Sequence, residues 1–242
     1  MAGRHQIIID GDRLTKIIEN SDFLNEELAA YLELYSLIVD IGCIDGWEVR
    51  SPKIIGWSQD SINMEFLSGD NLLDLLCRGE YIPFSSLGCL LASIHNGVFK
   101  KNKRWLQMSD FGLGNILIDG GNNIISIIDP GIRFLKNEGC LVDLVTIVWS
   151  LEIRRLRFRA PAKASSLFCE GYFKCIDIEG GLQIKESVGW FFKNILDDKF
   201  VFRRFGLKSL LFKLIRPLLY LYMTVFINRQ YRKYKKNQGC ML

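Results

Sequence analysis

The chain has 242 residues, of which 49% are hydrophobic and 24% charged, with a formal net charge of +4. That length fits one large domain or two small lobes, and the composition supports a sizeable core and excludes global disorder. Two histidines and seven cysteines without a Cys-x-x-Cys pair disfavour a zinc centre.

The cysteines sit mostly in apolar stretches and are expected to be reduced, buried small hydrophobes of a cytoplasmic protein. The start, Met1 to Gln6, is polar, and Ile7–Ile9 is too short for the apolar region of a cleavable signal. Charge is unevenly placed. From Val201 onward there are ten Lys or Arg and no Asp or Glu, which leaves 21 basic against 27 acidic residues before it. A mildly acidic body with a basic tail implies two jobs for two regions. No nucleic-acid partner is expected.

In chain order, Gln6–Asp10 and Arg13–Ile18 predict a hairpin about an Asp-Gly-Asp turn. Ser21 or Asp22 is placed to cap a helix running to about Val39, with Leu28, Tyr31, Leu32, Tyr35 and Ile38 at helical spacing. Lys53–Trp57 and Ile62–Leu67 predict two short strands. Asp70 is expected to cap a short helix from Asn71 to Cys77. A longer helix is expected from about Pro83 to Asn96, and a buried one over Leu141–Ile153. The remainder reads as mostly helical to about Tyr234. The pattern is α+β, strand-rich first and helical after, with a hinge near Glu65–Gly69. The expected divisions are a small lobe over 1–67, a helical lobe over 68–200 and a tail over 201–242.

The densest information lies between Asp110 and Asp129. Asp110 is followed five residues later by Asn115, then by the apolar run Ile116–Ile118, a Gly-Gly-Asn-Asn turn, and a second apolar run, Ile124–Ile128, that ends in Asp129. Paired strands would hold Asn115 and Asp129 at one end. An amide oxygen and a carboxylate are hard ligands suited to Mg²⁺, and a carboxylate at Asp110 can orient a hydroxyl and take its proton. The plainer alternative is a capped loop and a β-hairpin in which Asp129 is only a turn residue before Pro130.

These strings resemble the kinase-like family of aminoglycoside, choline and lipopolysaccharide-core sugar phosphotransferases. The resemblance rests on Leu90-Leu-Ala-Ser-Ile-His95, on Ser109-Asp110 through Asn115 to Asp119, and on Ile127-Ile-Asp129-Pro. It spans about residues 14 to 175. It also takes in Met64–Gly69, similar to the family's hinge, and Glu170–Phe173 in the helical part. It implies a bilobal protein-kinase-like fold with a reduced N-terminal lobe, binding ATP or GTP with Mg²⁺. It further implies Asp110 as catalytic base, Asn115 and Asp129 as metal ligands, and Glu65 and Leu67 beside the nucleotide. Met108-Ser109 stands where the family has His-Gly, and no Gly-x-Gly-x-x-Gly loop is present, Gly11 being its sole substitute.

Lys16, on the strand before the first helix, is the candidate phosphate-contacting lysine, with Glu27 as its partner and Glu26 as the alternative one position away. His95 is expected to be structural, bonding toward the loop around Asp110. Asp143 stands in an apolar helix, where an unpaired carboxylate is costly, and is expected to accept bonds from that loop. Arg154, Arg155 and Arg157 are candidates for binding an anionic acceptor, with a solvated face as the alternative. In the tail, Ser209, Lys213, Arg216, Tyr220 and Thr224 form a polar stripe on an otherwise apolar helix. Its longest uncharged stretch, Pro217–Asn228, is shorter than the roughly 20 residues that span a bilayer. Over 205–236 the pattern suits either an anionic membrane surface at the cytoplasmic face or a terminal helix packed on the larger lobe.

The implied activity is ATP-dependent phosphorylation of a non-protein hydroxyl, the acceptor being a sugar of a lipid-linked or surface glycan. The alternatives are a protein serine/threonine kinase and a catalytically weak scaffold at the membrane.

Overall fold

The computed structural model describes residues 6–18, 21–103, 105–108, 111–129, 132–135, 141–157, 161–177, 184–194 and 209–239. The chain divides into two compact units, the first formed by 1–82 with 108–133, the second by 83–107 with 134–242. It is α+β, with strands concentrated in the first unit and helices in the second.

The first unit opens with β1 (Gln6–Asp10) and β2 (Arg13–Ile17), antiparallel and paired Ile7 to Lys16 and Ile8 to Thr15. Gly11 turns the hairpin at φ +60°, a left-handed value that suits glycine. Helix α1 (Ser21–Ile41) follows. Its Leu24, Leu28 and Tyr31 pack with Ile18 and with Ile62 and Met64 of a later strand. Side chains 21–23 lie outside the described residues, and the expected cap with them. A short hairpin, β3 (Cys43–Ile44) and β4 (Trp47–Arg50), comes next. Asp45 (φ 49°) and Gly46 (φ 83°) form its two-residue turn. Next come β5 (Ile54–Trp57) and β6 (Ser61–Glu65), and the first sheet has the order β1-β2-β6-β5.

A second sheet runs β3-β4-β10-β9-β7, where β7 is Asp70–Asn71, β9 Ile116–Asp119 and β10 Ile124–Ile127. Strand β10 lies antiparallel to β9 and parallel to β4. The β9–β10 turn is held by Asp119, whose carboxylate accepts from the Gly121 and Asn122 amides at 3.1 Å each. Helix α2 (Leu72–Arg78) is capped by Asn71, whose Oδ1 accepts from the Leu73 amide at 2.9 Å. Asp70, the expected cap, instead pairs with Arg78 at 2.9 Å. It sits one position too early for its side chain to reach the orphan amides of the first turn.

The second unit contains α3 (Phe84–Asn102), α4 (Val142–Arg157), α5 (Ala164–Cys175), α6 (Ile184–Asn194) and α7 (Ser209–Gly239). Strands β8 (Trp105–Met108) and β11 (Ile132–Leu135) form a two-stranded sheet. Helices α3 and α5 touch backbone to backbone. A Cβ on Gly88 would lie 2.0 Å from the Phe168 carbonyl oxygen, and one on Gly171 would lie 1.8 Å from that of Ser85. The crossing brings Cys89 and Cys175 to a Cα separation of 5.2 Å, and the two form a disulfide. This corrects the expectation of reduced, buried cysteines. Cys89 and Cys175 are bonded, and Cys43 and Cys77 are exposed; only Cys169 is both free and buried among the described thiols. No described helix is long and apolar enough to cross a membrane.

Candidate functional site

In the first unit, β2, α1 and the end of β10 converge on Lys16. Its side chain is almost wholly buried, yet its ammonium bonds both the Glu27 carboxylate and Asp129 Oδ2, the latter at 2.9 Å. The sequence explains the placement. Strand alternation puts Leu14 and Lys16 on one face, and helical spacing puts Leu24, Glu27, Leu28 and Tyr31 toward the sheet. Glu26 is exposed and Glu27 buried. The Lys16 ammonium also lies 5.7 Å from the centroid of the Tyr31 ring.

Burial opposes the charge on Lys16, but Asp129 and Glu27 outweigh it and raise the pKa above the ordinary lysine value. Stability from this group is fully present below the unfolded lysine pKa, about 10.4, and is lost only as pH rises through the still higher folded value. Between neutral and mildly alkaline pH the lysine therefore stays a cation, paired with two carboxylates. Taken alone, the three groups carry one net negative charge.

Asp129 is fixed from several sides. Asn115 ends the 3-10 turn Leu113–Asn115, and its backbone carbonyl accepts from the Ile128 amide at 3.0 Å. Its side-chain Nδ2 donates to the Asp129 carbonyl at 3.1 Å. The Tyr31 hydroxyl donates to the Ile128 carbonyl at 3.1 Å. The turn itself is tied down by Asn71, whose Nδ2 donates to the Gly114 carbonyl. With Nδ2 committed to the backbone, the Asn115 amide oxygen and the third-exposed Asp129 carboxylate are the hard donors of this corner. Two oxygen donors beside a site of net negative charge fit Mg²⁺. Among the described residues no cluster of three His, Cys, Asp or Glu could hold a metal by itself, so further oxygen ligands would have to complete the shell. Asp110 lies outside the described residues; Phe111 and Leu113, just after it, are buried and anchor the loop.

At the expected hinge, Leu67 is buried and Glu65 exposed. The Glu65 amide donates to the Lys53 carbonyl at 2.9 Å and the Phe66 amide to that of Asp12 at 2.8 Å. Gly69, at φ +145°, passes so close to β9 that a Cβ would meet Leu117 Cβ at 3.1 Å.

Lys16→Met would leave Glu27 buried without its counter-charge, and Glu27 Oε2 already lacks a hydrogen-bond partner among the described residues. The expected loss is roughly 3–5 kcal/mol in urea unfolding. Adding Glu27→Gln should recover much of it. A cost under about 1 kcal/mol would show that the pair is not buried in solution.

In the second unit, both ring nitrogens of His95 are engaged. Nδ1 lies 2.8 Å from the Tyr172 hydroxyl and Nε2 lies 3.2 Å from Asp143 Oδ2. All three are buried. Asp143 and His95 thus bond one another; the Asp110 position toward which the sequence pointed both lies outside the described residues. Arg155 pairs with Glu152 at 3.2 Å. Glu152 also accepts from the Tyr222 hydroxyl at 2.6 Å. Burial and that bond push the Tyr222 phenol up to about 12. Arg154 is half-buried, and the side chain of Arg157 lies outside the described residues.

No protein-family model and no curated protein matches the sequence. Among solved structures the chain is similar to the bifunctional kinase-methyltransferase WbdD, with TM-score 0.41 and 18% identity, over 74% of this chain and 44% of that one. The chain thus spans less than half of WbdD. It is also similar to the streptomycin–ATP–APH(2″)-IIa ternary complex (TM-score 0.41, 10% identity, 80% of this chain and 87% of that chain). A third is the gentamicin–APH(2″)-IIa complex (TM-score 0.42, 9% identity, 94% and 87%). At such scores the likeness decides nothing about the site, whose geometry stands by itself.

Sequence reasoning missed Tyr31, Asn71 and Tyr172. Asn71 carried a signal, since Asn is among the strongest N-cap residues. Tyr31 and Tyr172 looked like ordinary core aromatics, and their hydroxyl partners lie 97 and 77 residues away in sequence.

Proposed function

We propose that the protein transfers the terminal phosphoryl group of a nucleoside triphosphate, ATP or GTP, to a hydroxyl of a non-protein acceptor, a sugar of a lipid-linked or surface glycan. One observation carries the reading. A buried lysine is held between a helix glutamate and the aspartate that closes the β9–β10 hairpin, with the asparagine of the Asp-x4-Asn string clamping that aspartate's backbone. A structural ion pair would not need the second, partly exposed carboxylate. An ammonium with two carboxylates is oriented and kept charged, as phosphate binding requires.

In this reading Lys16 holds the nucleotide phosphates, and Glu27 keeps its ammonium in place. Asn115 and Asp129 would hold Mg²⁺, which neutralises phosphate charge when bound. Asp110 orients the acceptor hydroxyl in line and accepts its proton late. The Glu65–Leu67 segment lies against the nucleotide base. His95 and Asp143, bonded to one another, are assigned to support of the catalytic loop. Arg154, Arg155 and Arg157 are assigned to an anionic acceptor, with Arg155 also pairing Glu152. The glycan acceptor draws on the sequence resemblance and on the basic tail.

The test is nucleotide binding with and without Mg²⁺, followed by turnover on sugars, lipid-linked glycans and a generic protein substrate. Asp110→Asn should leave nucleotide affinity nearly unchanged and lower kcat roughly 10²-fold or more. Unchanged turnover would move the chemistry elsewhere. Nucleotide binding with no turnover on any acceptor would favour the scaffold, and phosphorylation of the protein substrate alone would favour a protein kinase.

A further inference from the structure

Helix α7 is not free. Its Met223 and Ile227 are fully buried. Tyr231 packs on Phe173 of α5 at 5.3 Å between ring centroids, and Tyr220 on Phe192 of α6 at 6.0 Å. Gln230 Nε2 bonds Ser166 Oγ at 3.1 Å, and Arg216 bonds the Phe192 carbonyl. The described part of the polar stripe expected from the sequence turns inward: Arg216 and Tyr220 reach α6 carbonyls, and Thr224 Oγ1 is buried. Once the helix is anchored in this way, its opposite face is fixed outward.

That outward face is ordered along its length. Leu218, Leu221 and Val225 are 67%, 57% and 56% exposed. Arg229, Arg232, Lys233 and Lys236 continue the same stripe at steps of three and four, all exposed. With Val225 they line a groove of about 630 Å³. No acidic residue occurs anywhere from 201 to 242.

We propose that this outward face of α7 docks on an anionic phospholipid surface. Isolated exposed leucines are ordinary. Three in one stripe, running into four cations with no acid on the same helix, match a bilayer interface from the acyl boundary to the phosphates. A protein groove would have to supply that apolar-to-acidic gradient by sequence, whereas every anionic leaflet supplies it by depth. The inference is independent of phosphotransfer, because it is read by binding alone.

The experiment is flotation of the full chain with vesicles of phosphatidylcholine alone, or mixed with phosphatidylglycerol, at low and high salt. Binding should appear with the mixed vesicles at low salt and weaken as salt rises. Neutralising one basic residue should weaken it roughly fivefold, so R232Q/K233Q/K236Q should all but abolish it. L218Q/L221Q/V225Q should keep low-salt binding but lose the fraction that survives high salt. All six positions are exposed, so unchanged thermal unfolding of both variants serves as the folding control. Equal binding to uncharged vesicles, no binding to mixed vesicles at low salt, or triple variants that bind like the parent would each overturn the proposal. So would a dimer in solution that L218Q/L221Q/V225Q dissolves, because that would assign the face to a second copy.

Discussion

Asp129→Ala should abolish Mg²⁺-dependent nucleotide turnover and leave the protein folded. The two halves of this expectation rest on different contacts. The fold needs the Asp129 backbone, whose carbonyl is held by Asn115 Nδ2 and whose neighbour Ile128 is bonded on both its amide and its carbonyl. Alanine keeps all of that. Its side chain is about a third exposed, so removing it strips no large buried surface. Lys16 keeps Glu27 and becomes half of a balanced pair. What is lost is the anionic oxygen proposed for the metal. A metal contributes several kcal/mol of charge stabilisation to phosphoryl transfer, so turnover should fall roughly 10³-fold or more. Nucleotide titration should lose its response to Mg²⁺, while urea unfolding moves little. Wild-type turnover in this variant would remove the metal assignment, and with it the main support for a kinase.

The legible parts of this chain are those in which the pattern is local. The β1–β2 hairpin announces itself by Asp-Gly-Asp between apolar runs, and β9–β10 by two apolar runs about Gly-Gly-Asn-Asn. Helix α1 shows most of its buried face by spacing, through Leu28, Tyr31 and Ile38, although Leu32 of the same series is exposed, and the same spacing separates Glu27 from Glu26. The hairpin β3–β4 was equally local but short. Trp47 and Val49 alternate inward with Glu48 and Arg50 outward, and the Asp45-Gly46 turn is a strong two-residue signal. Two buried residues were too few to set a period. Helix α2 starts one residue later than expected because Asp70 finds Arg78 while Asn71 takes the cap.

What the sequence hid is non-local. The disulfide joins residues 86 apart, and nothing near Cys89 or Cys175 names the other. His95 and Tyr172 meet across the same two helices. In helix α7 the sequence shows a polar stripe but not which way it faces. Arg216 and Tyr220 of that stripe reach carbonyls of α6, and part of the helix's apolar surface faces out. Periodicity states that a helix has two faces; only packing states which one is inside.

The α3–α5 crossing gives the second large expected effect, through a contrast between two glycines. Glycine costs a helix about 1 kcal/mol relative to alanine. In α6, Gly189 has room: an added Cβ would lie 3.9 Å from the Tyr220 ring, an ordinary contact. Gly189→Ala should therefore stabilise the protein by up to about 1 kcal/mol. In α5, Gly171 has none. An added Cβ would fall 1.8 Å from the Ser85 carbonyl oxygen, a backbone atom of α3 that no rotamer change can move. Restoring van der Waals distance means parting the two helices by more than an ångström. Cys89–Cys175 resists that parting, and the His95–Tyr172 bond is exposed to it. The propensity gain is the same as at Gly189, but the clash overwhelms it. Gly171→Ala should cost about 3 kcal/mol or more, read as a fall in the urea midpoint. Comparable stability changes at the two positions would mean that α3 and α5 do not cross through glycine contact in solution.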